Sequence, residues 1–506
     1  MPPRTQRGRG GRPRPAPRSG QGRSGDGRSG PRRTTRADPV RRVAYDVLAA
    51  VDERDAYANL LLPALLRERG IEGRDAALAT ELTYGTLRGR QTYDAVLDLC
   101  SDRPARDIDP PVREVLRLGA HQLLATRVAS HAAVATSVDL AKDVAGMRPA
   151  GFVNAVLRRV GTRDLDGWLT IITPDRAADP VGWLAAACSY PRWIVTAFRD
   201  ALGGDLDQTE QTLRAGNERP LITLVAIPGL SEPAELTAGD REPDPARWSP
   251  YGVVLPGGDP AAIPAVADGR AFVQDEASQL VALALAAAPL AAARLDQTAS
   301  PATPAPAEPW LDLCAGPGGK AALLAALARP AIHLVGADLR PHRAGLTAEH
   351  LRRLPNAAAI AADGRRGAWR PGTFARVLAD VPCSGLGALR RRPEARWRKS
   401  PEDVEGLVPL QRELLDNAVA SARPGGVVGY VTCTPHQDET EGVVQAVLAE
   451  RDDVTVLDAP AILADAVGRP VPDVSRGPGG RYVQFWPHRH GTDALFLALL
   501  RREPAR

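Results

Sequence analysis

Lysine is nearly missing from this 506-residue chain. Only Lys142, Lys320 and Lys399 occur among its 64 basic residues, and all the others are arginine. With 47 Gly, 46 Pro and abundant Ala, the bias reads as a preference for GC-rich codons. A lysine that persists against it marks a place where a compact ammonium matters. Cysteine is scarce as well. Cys100, Cys188, Cys314, Cys383 and Cys433 lie at least fifty positions apart, with no CxxC and no Cys/His cluster. That argues against a structural zinc site, and no metal is expected. So sparse and odd a set also favours a reducing cytosol over a disulfide framework. The N-terminus has no apolar signal-peptide core. The longest apolar run, 280–293, is short and interrupted by Pro289, so it cannot span a bilayer. A soluble, cytoplasmic, monomeric protein without a membrane partner is expected.

Charge is present but unevenly placed. The net charge is +4, yet residues 1–36 hold eleven Arg against one acid, Asp26, a local +10. The remaining 470 residues therefore carry −6, which excludes a uniformly basic nucleic-acid-binding surface. The tail, 1–37, is Arg, Gly, Pro and Ser with little to bury, and is expected to be disordered. Its composition suits loose RNA or phosphate contact, or a passive solubilising role.

Order is expected from Asp38-Pro39, a helix N-cap followed by proline at the first helical position. Apolar residues at helical spacing then recur from Val40 to Val160, with no convincing strand before 165. Residues 38–163 read as an all-α domain. Residues 164–288 read as a small α/β linker unit, with a helix opening at Pro191-Arg192-Trp193, strands near 221–226 and 252–255, and a helix near 276–288. An Ala/Pro-rich insertion at 289–308 follows. From 309 to 502 strands near 310–314, 333–338, 358–362, 377–380 and 427–432 alternate with helices. That rhythm implies a parallel, doubly wound, Rossmann-like sheet.

Chemistry-bearing residues gather at the ends of those strands. Asp312-Leu313 leads into Cys314-Ala315-Gly316-Pro317-Gly318-Gly319-Lys320, a glycine-rich turn between a strand and a helix that lets backbone approach a ligand. It is not a phosphate-binding P-loop, because Cys314 and Ala321 stand where that motif needs Gly and Ser/Thr. Asp338, Asp363 and Asp380 end the next three strands, where acids hold ribose hydroxyls or a base. Without a phosphate loop, this set favours S-adenosylmethionine over a dinucleotide. Cys383 in Asp380-Val381-Pro382-Cys383 and Cys433 in Tyr430-Val431-Thr432-Cys433 close two strands on the same rim. A thiolate that adds to C6 of a pyrimidine makes C5 nucleophilic toward a methyl sulfonium, and a second thiol can assist release. That chemistry alone does not say which cysteine does which. The run 390–399, with six basic groups, one acid and Trp397, follows Cys383 and reads as a nucleic-acid contact.

These residues resemble the RNA 5-methylcytosine methyltransferases of the RsmB/NOP2/Sun family. The matching stretches are Val273-Gln274-Asp275-Glu276-Ala277-Ser278, Cys314 to Lys320, Asp338 with Arg343, Asp380-Val381-Pro382-Cys383-Ser384-Gly385, Thr432-Cys433, and Pro487-His488-Arg489-His490-Gly491-Thr492-Asp493. The helical region is similar to the NusB-type RNA-binding domain of the RsmB branch, most closely at Glu81 to Leu87 and Gly151 to Arg159. The resemblance spans about 38–500. It implies that Cys433 is the nucleophile and that Cys383 assists product release. It further implies that Cys314 to Lys320, Asp338, Asp363 and Asp380 line the S-adenosylmethionine pocket, and that the substrate is small-subunit ribosomal RNA. The chain departs from the family at Gly316 and Val381, where Ala is commoner, and at Thr440, where Asn usually follows the glutamate. The alternatives are a non-catalytic, antitermination-like RNA-binding protein built on a methyltransferase scaffold, or the same chemistry on tRNA or DNA. The second cysteine, in its Thr-Cys setting, argues against DNA.

Overall fold

The computed structural model describes residues 37–237, 243–291, 308–328 and 332–504. The expectations for the Arg-rich tail and for most of the 289–308 insertion lie outside these residues. The first helix, Pro39–Arg54, begins as its sequence demands: the Asp38 carboxylate accepts the Arg41 N–H at 2.9 Å and Pro39 needs no partner. Its buried stripe of Val40, Val43, Ala44, Val47, Leu48 and Val51 meets the helices Gly73–Arg88, Pro110–Ala125 and Ala150–Val160 in one core. At Gly85 a side chain would run into the His121 ring, whose Nδ1 lies 2.9 Å from the buried Tyr93 hydroxyl.

Helix continues further than the sequence pattern suggested. Leu165–Ile172 belongs to the same core: Trp168 is buried there and its indole N–H donates to the Val160 carbonyl at 2.9 Å. Pro180–Cys188 follows, then Arg192–Ala201, the helix expected to open after Pro191, and then Leu206–Ala215; strand begins at residue 222, as expected. Their apolar faces, with Leu184, Ile194, Phe198 and Leu213, pack on Leu386, Leu389, Trp486 and Ala494 of the C-terminal part. Four short antiparallel strands come next: β1 (Ile222–Ala226), β2 (Asp244–Pro245), β3 (Gly252–Leu255) and β4 (Ala271–Val273), in the order β2-β3-β1-β4.

Among the described residues, the C-terminal sheet has nine strands. β5 (Trp310–Asp312), β6 (Leu334–Asp338), β7 (Ala357–Ala361), β8 (Phe374–Asp380) and β9 (Ala422–Thr432) are mutually parallel, in the order β9-β8-β5-β6-β7. This is the expected doubly wound core, with the crossover point beside β5. Strands the sequence did not announce extend it. β10 (Val454–Val456), β11 (Ser475–Arg476), β12 (Tyr482–Gln484) and β13 (Phe496–Arg502) add antiparallel, with β13 paired to β9. Among the described residues, no helix is long and apolar enough to cross a membrane.

The basic run at 390–399 corrects its sequence-based reading. It is mainly an internal joint and not an open nucleic-acid face. Arg396 is fully buried, stacks 3.6 Å over the Tyr190 ring, and donates to the Tyr190 hydroxyl and to the carbonyls of Arg88, Ser189 and Gly216. The Arg398 guanidinium donates to the carbonyls of Val51, Asp55 and Ala56, at the end of the first helix. Glu394 accepts the Ala58 N–H at 3.2 Å. Arg390 and Arg391 are held by carboxylates described below. Arg392 stays exposed, 5.7 Å over the ring of Tyr57. A charge run on a loop looks the same in sequence whether it faces solvent or the carbonyl ends of neighbouring helices. Here the helices' unpaired carbonyls claimed it. Replacing Arg396 by Ala orphans three carbonyls and opens a cavity. We expect a loss of roughly 3 kcal/mol, read as a lower midpoint in urea, with faster proteolytic cleavage between 388 and 400.

Candidate active site

The strand carboxyl ends form one rim. β5 ends at Asp312, and the chain turns through 313–318 into the helix Gly319–Leu327. Gly318 has φ of 120°, which a side chain would strain. At Gly316 a Cβ would collide with Asp338 and Arg343, because these two side chains clamp the turn. The Asp338 carboxylate accepts the N–H groups of Gly316 at 3.2 Å and Arg340 at 2.9 Å and the Arg343 Nε–H at 3.1 Å, while Arg343 also donates to the Gly316 carbonyl. Asp338 thus ties the end of β6 to the turn after β5.

From the first turn of the helix Gly319–Leu327, Lys320 reaches across to β8 and donates to Asp380 at 2.8 Å. Burial pulls its pKa down, but the charge and hydrogen bond of Asp380 outweigh this and hold it above the ordinary lysine value. Cys433 lies within electrostatic range of the same ammonium. Asp312 is 1% exposed and its Oδ1 has no hydrogen-bond partner. Burial, reinforced by the nearby Asp380 charge, pushes its pKa up to about 8. Burial and the same acids raise the Cys314 thiol well above its usual range, so Cys314 is poorly suited to act as a nucleophile.

Cys383 and Cys433 come together. β8 and β9 pair in parallel with Asp380 opposite Val431, and the two sulfurs beyond their ends lie 3.2 Å apart. The hydrogen bond to Cys433, then burial, then the charges of Cys433 and Glu439 raise the Cys383 pKa, so Cys383 holds its proton. The Asp363 carboxylate takes no part in these hydrogen bonds. Asp363 follows β7 by two residues, and its carboxylate is held by Arg365, which lowers its pKa to about 2.

Three groups in the surroundings were not singled out as site residues by the sequence pattern. Asp312 is one, hidden because it preceded the glycine turn. A second is a buried square of Asp275, Arg390, Arg391 and Asp493. Arg390 and Arg391 donate to Asp275 Oδ2 at 2.9 and 2.7 Å, both also donate to Asp493, and the Asp493 N–H reaches Asp275 at 3.2 Å. Both acids stand inside motif stretches quoted above, which was their only signal. The third is Glu439 with Ser384 and Gln411. The square seats the loop after Cys383 against the C-terminal segment, and Gly387 completes the seat. Its N–H donates to the Cys433 carbonyl at 2.9 Å, and its carbonyl accepts the Ala494 N–H at 3.0 Å. Among the described residues, no cluster of His, Cys, Asp and Glu is arranged to hold a metal ion.

Comparison with known proteins adds to this geometry. Residues 301–501 match the family described as 16S rRNA methyltransferase RsmB/F, and residues 38–162 match the NusB family. The chain is 49% identical over 466 residues to a protein of Mycobacterium tuberculosis named as a methyltransferase, covering 92% of this chain and 97% of that one. It is 31% identical over 469 residues to ribosomal RNA small subunit methyltransferase B of Pseudomonas syringae pv. tomato, covering 91% and 96%. The crystal structure of PH0851 superposes with a TM-score of 0.72 over 92% of this chain and all of that one, at 20% identity, a likeness of fold.

Gly387 offers a direct check of the seat. A Cβ there would overlap the Ala494 carbonyl and lie 2.9 Å from the Cys433 carbonyl oxygen. Backbone must move, and Cys433 moves with it. We expect Gly387→Ala to slow turnover about 100-fold, the effect of misplacing a reacting group by about 1 Å. Near-normal turnover in a methyl-transfer assay would show that the seat is not needed.

Proposed function

Because the chain belongs to the 16S rRNA methyltransferase RsmB/F family, we propose that it transfers a methyl group from S-adenosylmethionine to C5 of a cytosine in small-subunit ribosomal RNA. The observation that carries this reading is the pair of sulfurs 3.2 Å apart beside the Lys320–Asp380 ion pair. The names of the curated relatives support rRNA as the substrate class, and the NusB-family match supports RNA binding.

The residues present fit the cofactor. Asp312 offers a buried carboxylate oxygen with no partner to a positively charged group. The two glycines of the Gly316–Gly318 turn have no side chain of their own, and the Asp338 carboxylate clamps the turn. S-adenosylmethionine, when bound, supplies an electrophilic methyl on sulfonium. The protein supplies the rest. Lys320 puts a positive charge near Cys433 and, with Asp380, provides polar contacts for the base. The Cys433 sulfur would form a bond to C6, and the electron pair moved to C5 would take the methyl as the sulfonium S–CH3 bond breaks, its electrons staying on sulfur as a neutral thioether that departs. A base then removes the C5 proton. The electrons of that C–H bond restore the C5–C6 double bond, and the C6–S bond breaks. Cys383, holding its proton opposite Cys433, is placed to protonate the leaving sulfur.

Two measurements test this. Cys433→Ala should lower methylation of rRNA at least ~1000-fold, whereas Cys383→Ala should leave a covalent protein–RNA adduct that survives denaturing gels. A fully active Cys433 variant would overturn the assignment. Failure of the wild type to bind S-adenosylmethionine would favour a non-catalytic RNA-binding protein.

The second measurement uses pH. Below about 8 the empty Asp312 holds a proton, which a cationic ligand beside it must displace. Affinity for S-adenosylmethionine should therefore rise between about pH 6 and 7.5. In Asp312→Asn, binding should weaken and lose this part of the slope, as read by calorimetry at several pH values.

A further inference from the structure

Behind the two thiols lies a buried carboxylate that the reaction above does not use. Glu439 is 0% exposed, and among the described residues no Lys or Arg pairs with it. Such a group is costly to bury unless donors replace its water. Its donors are Ser384, directly after Cys383, and Gln411 on the helix Pro401–Ser421. Glu439 Oε1 accepts the Ser384 N–H at 2.7 Å and the Gln411 Nε2–H at 3.0 Å, and Oε2 accepts the Ser384 hydroxyl. Gln411 donates in turn to the Pro382 carbonyl at 2.9 Å. The residues on both sides of Cys383 are thus held, one directly and one through Gln411.

The same carboxylate reaches the second cysteine. The Ser384 oxygen lies 3.1 Å from the Thr434 hydroxyl, and Thr434 directly follows Cys433. With its single proton given to Glu439, the Ser384 hydroxyl can only accept from Thr434. The backbone of Glu439 is anchored to the strand that ends at Cys433, because the Tyr430 hydroxyl donates to its carbonyl at 2.7 Å. The Glu439 charge also helps keep the proton on Cys383.

We propose that Glu439 is a positioning residue that holds Cys383 opposite Cys433 through Ser384 and Gln411, and so serves the release half of the reaction. This rests on the cytosine-C5 reading above. Attack and methyl transfer use Cys433, Lys320 and the cofactor pocket, none of which Glu439 touches. Elimination needs Cys383 in place with its proton.

The test uses the full-length protein with Glu439→Gln, which keeps shape but puts an amide N–H among existing donors. Three readings are taken: S-adenosylmethionine affinity, single against multiple turnover on rRNA, and alkylation of Cys383 by iodoacetamide in a Cys433→Ala background. We expect unchanged cofactor affinity and a first turnover within about threefold of wild type. Multiple turnover should fall about tenfold or more as covalent adduct builds up. Cys383 should alkylate faster, because it has lost a neighbouring negative charge. Normal multiple turnover with an unchanged alkylation rate would overturn the proposal, and so would equal slowing of both turnover phases. Should Glu439→Gln not fold, Ser384→Ala and Gln411→Leu each remove one donor, and release slowed in neither would overturn it equally. The alkylation arm needs no RNA. If the wild type forms no 5-methylcytosine, the cytosine reading fails while this arm still decides what Glu439 does to Cys383.

Discussion

Parallel pairing of β8 with β9 is the constraint on which the site depends. It brings the ends of two strands, fifty residues apart in the chain, to one edge and leaves Cys383 and Cys433 with sulfurs 3.2 Å apart. Hydrogen bonds along a parallel ladder are evenly spaced, so a slip of one residue would turn one thiol to the other face of the sheet. The fold guards this register from several sides. β13 pairs with β9 along six positions, with Phe496 opposite Thr432, and so fixes the strand that ends at Cys433. Gly387 then stitches the Cys433 carbonyl to the loop that follows Cys383.

Electrostatics follow from this placement. Three acids at the ends of parallel strands crowd one rim, and one lysine and one arginine answer two of them. Lys320 pairs with Asp380, Arg343 pairs with Asp338, and Asp312 is left buried with a raised pKa. A region this acidic is poised for a cationic ligand. It also explains how a body of net −6 can hold many arginines without presenting them all outward. Arg390, Arg391, Arg396 and Arg398 work between segments and between the helical region and the sheet.

Much of the fold was legible along the chain. The 3.6-residue spacing of Val40 to Val51 and the Asp38-Pro39 cap are local signals, and local signals survive without knowledge of contacts. The alternation of strand and helix after 309 was equally clear, because a buried parallel strand reads as a short apolar run. The antiparallel strands β10 to β13 were not seen. β11 and β12 are two and three residues long, too short to show a period. Of the helices between 165 and 215, Arg192–Ala201 was legible from its opening Pro191; the others were not, because their apolar faces are divided between one another and the C-terminal part.

For the site, residue type and spacing by themselves determined the cast: a glycine turn with the persistent Lys320, acids at successive strand ends, and two cysteines in Pro-Cys and Thr-Cys settings. Those are local facts of chemistry and strand length. Only the tertiary structure decided which of them meet. It paired Lys320 with Asp380 and Asp363 with Arg365, brought Glu439 behind Cys383, and turned most of the 390–399 run inward. The physical reason is that a charge or a thiol has no preferred partner in a linear sequence. Its partner is chosen by burial, where each donor and acceptor removed from water must find another.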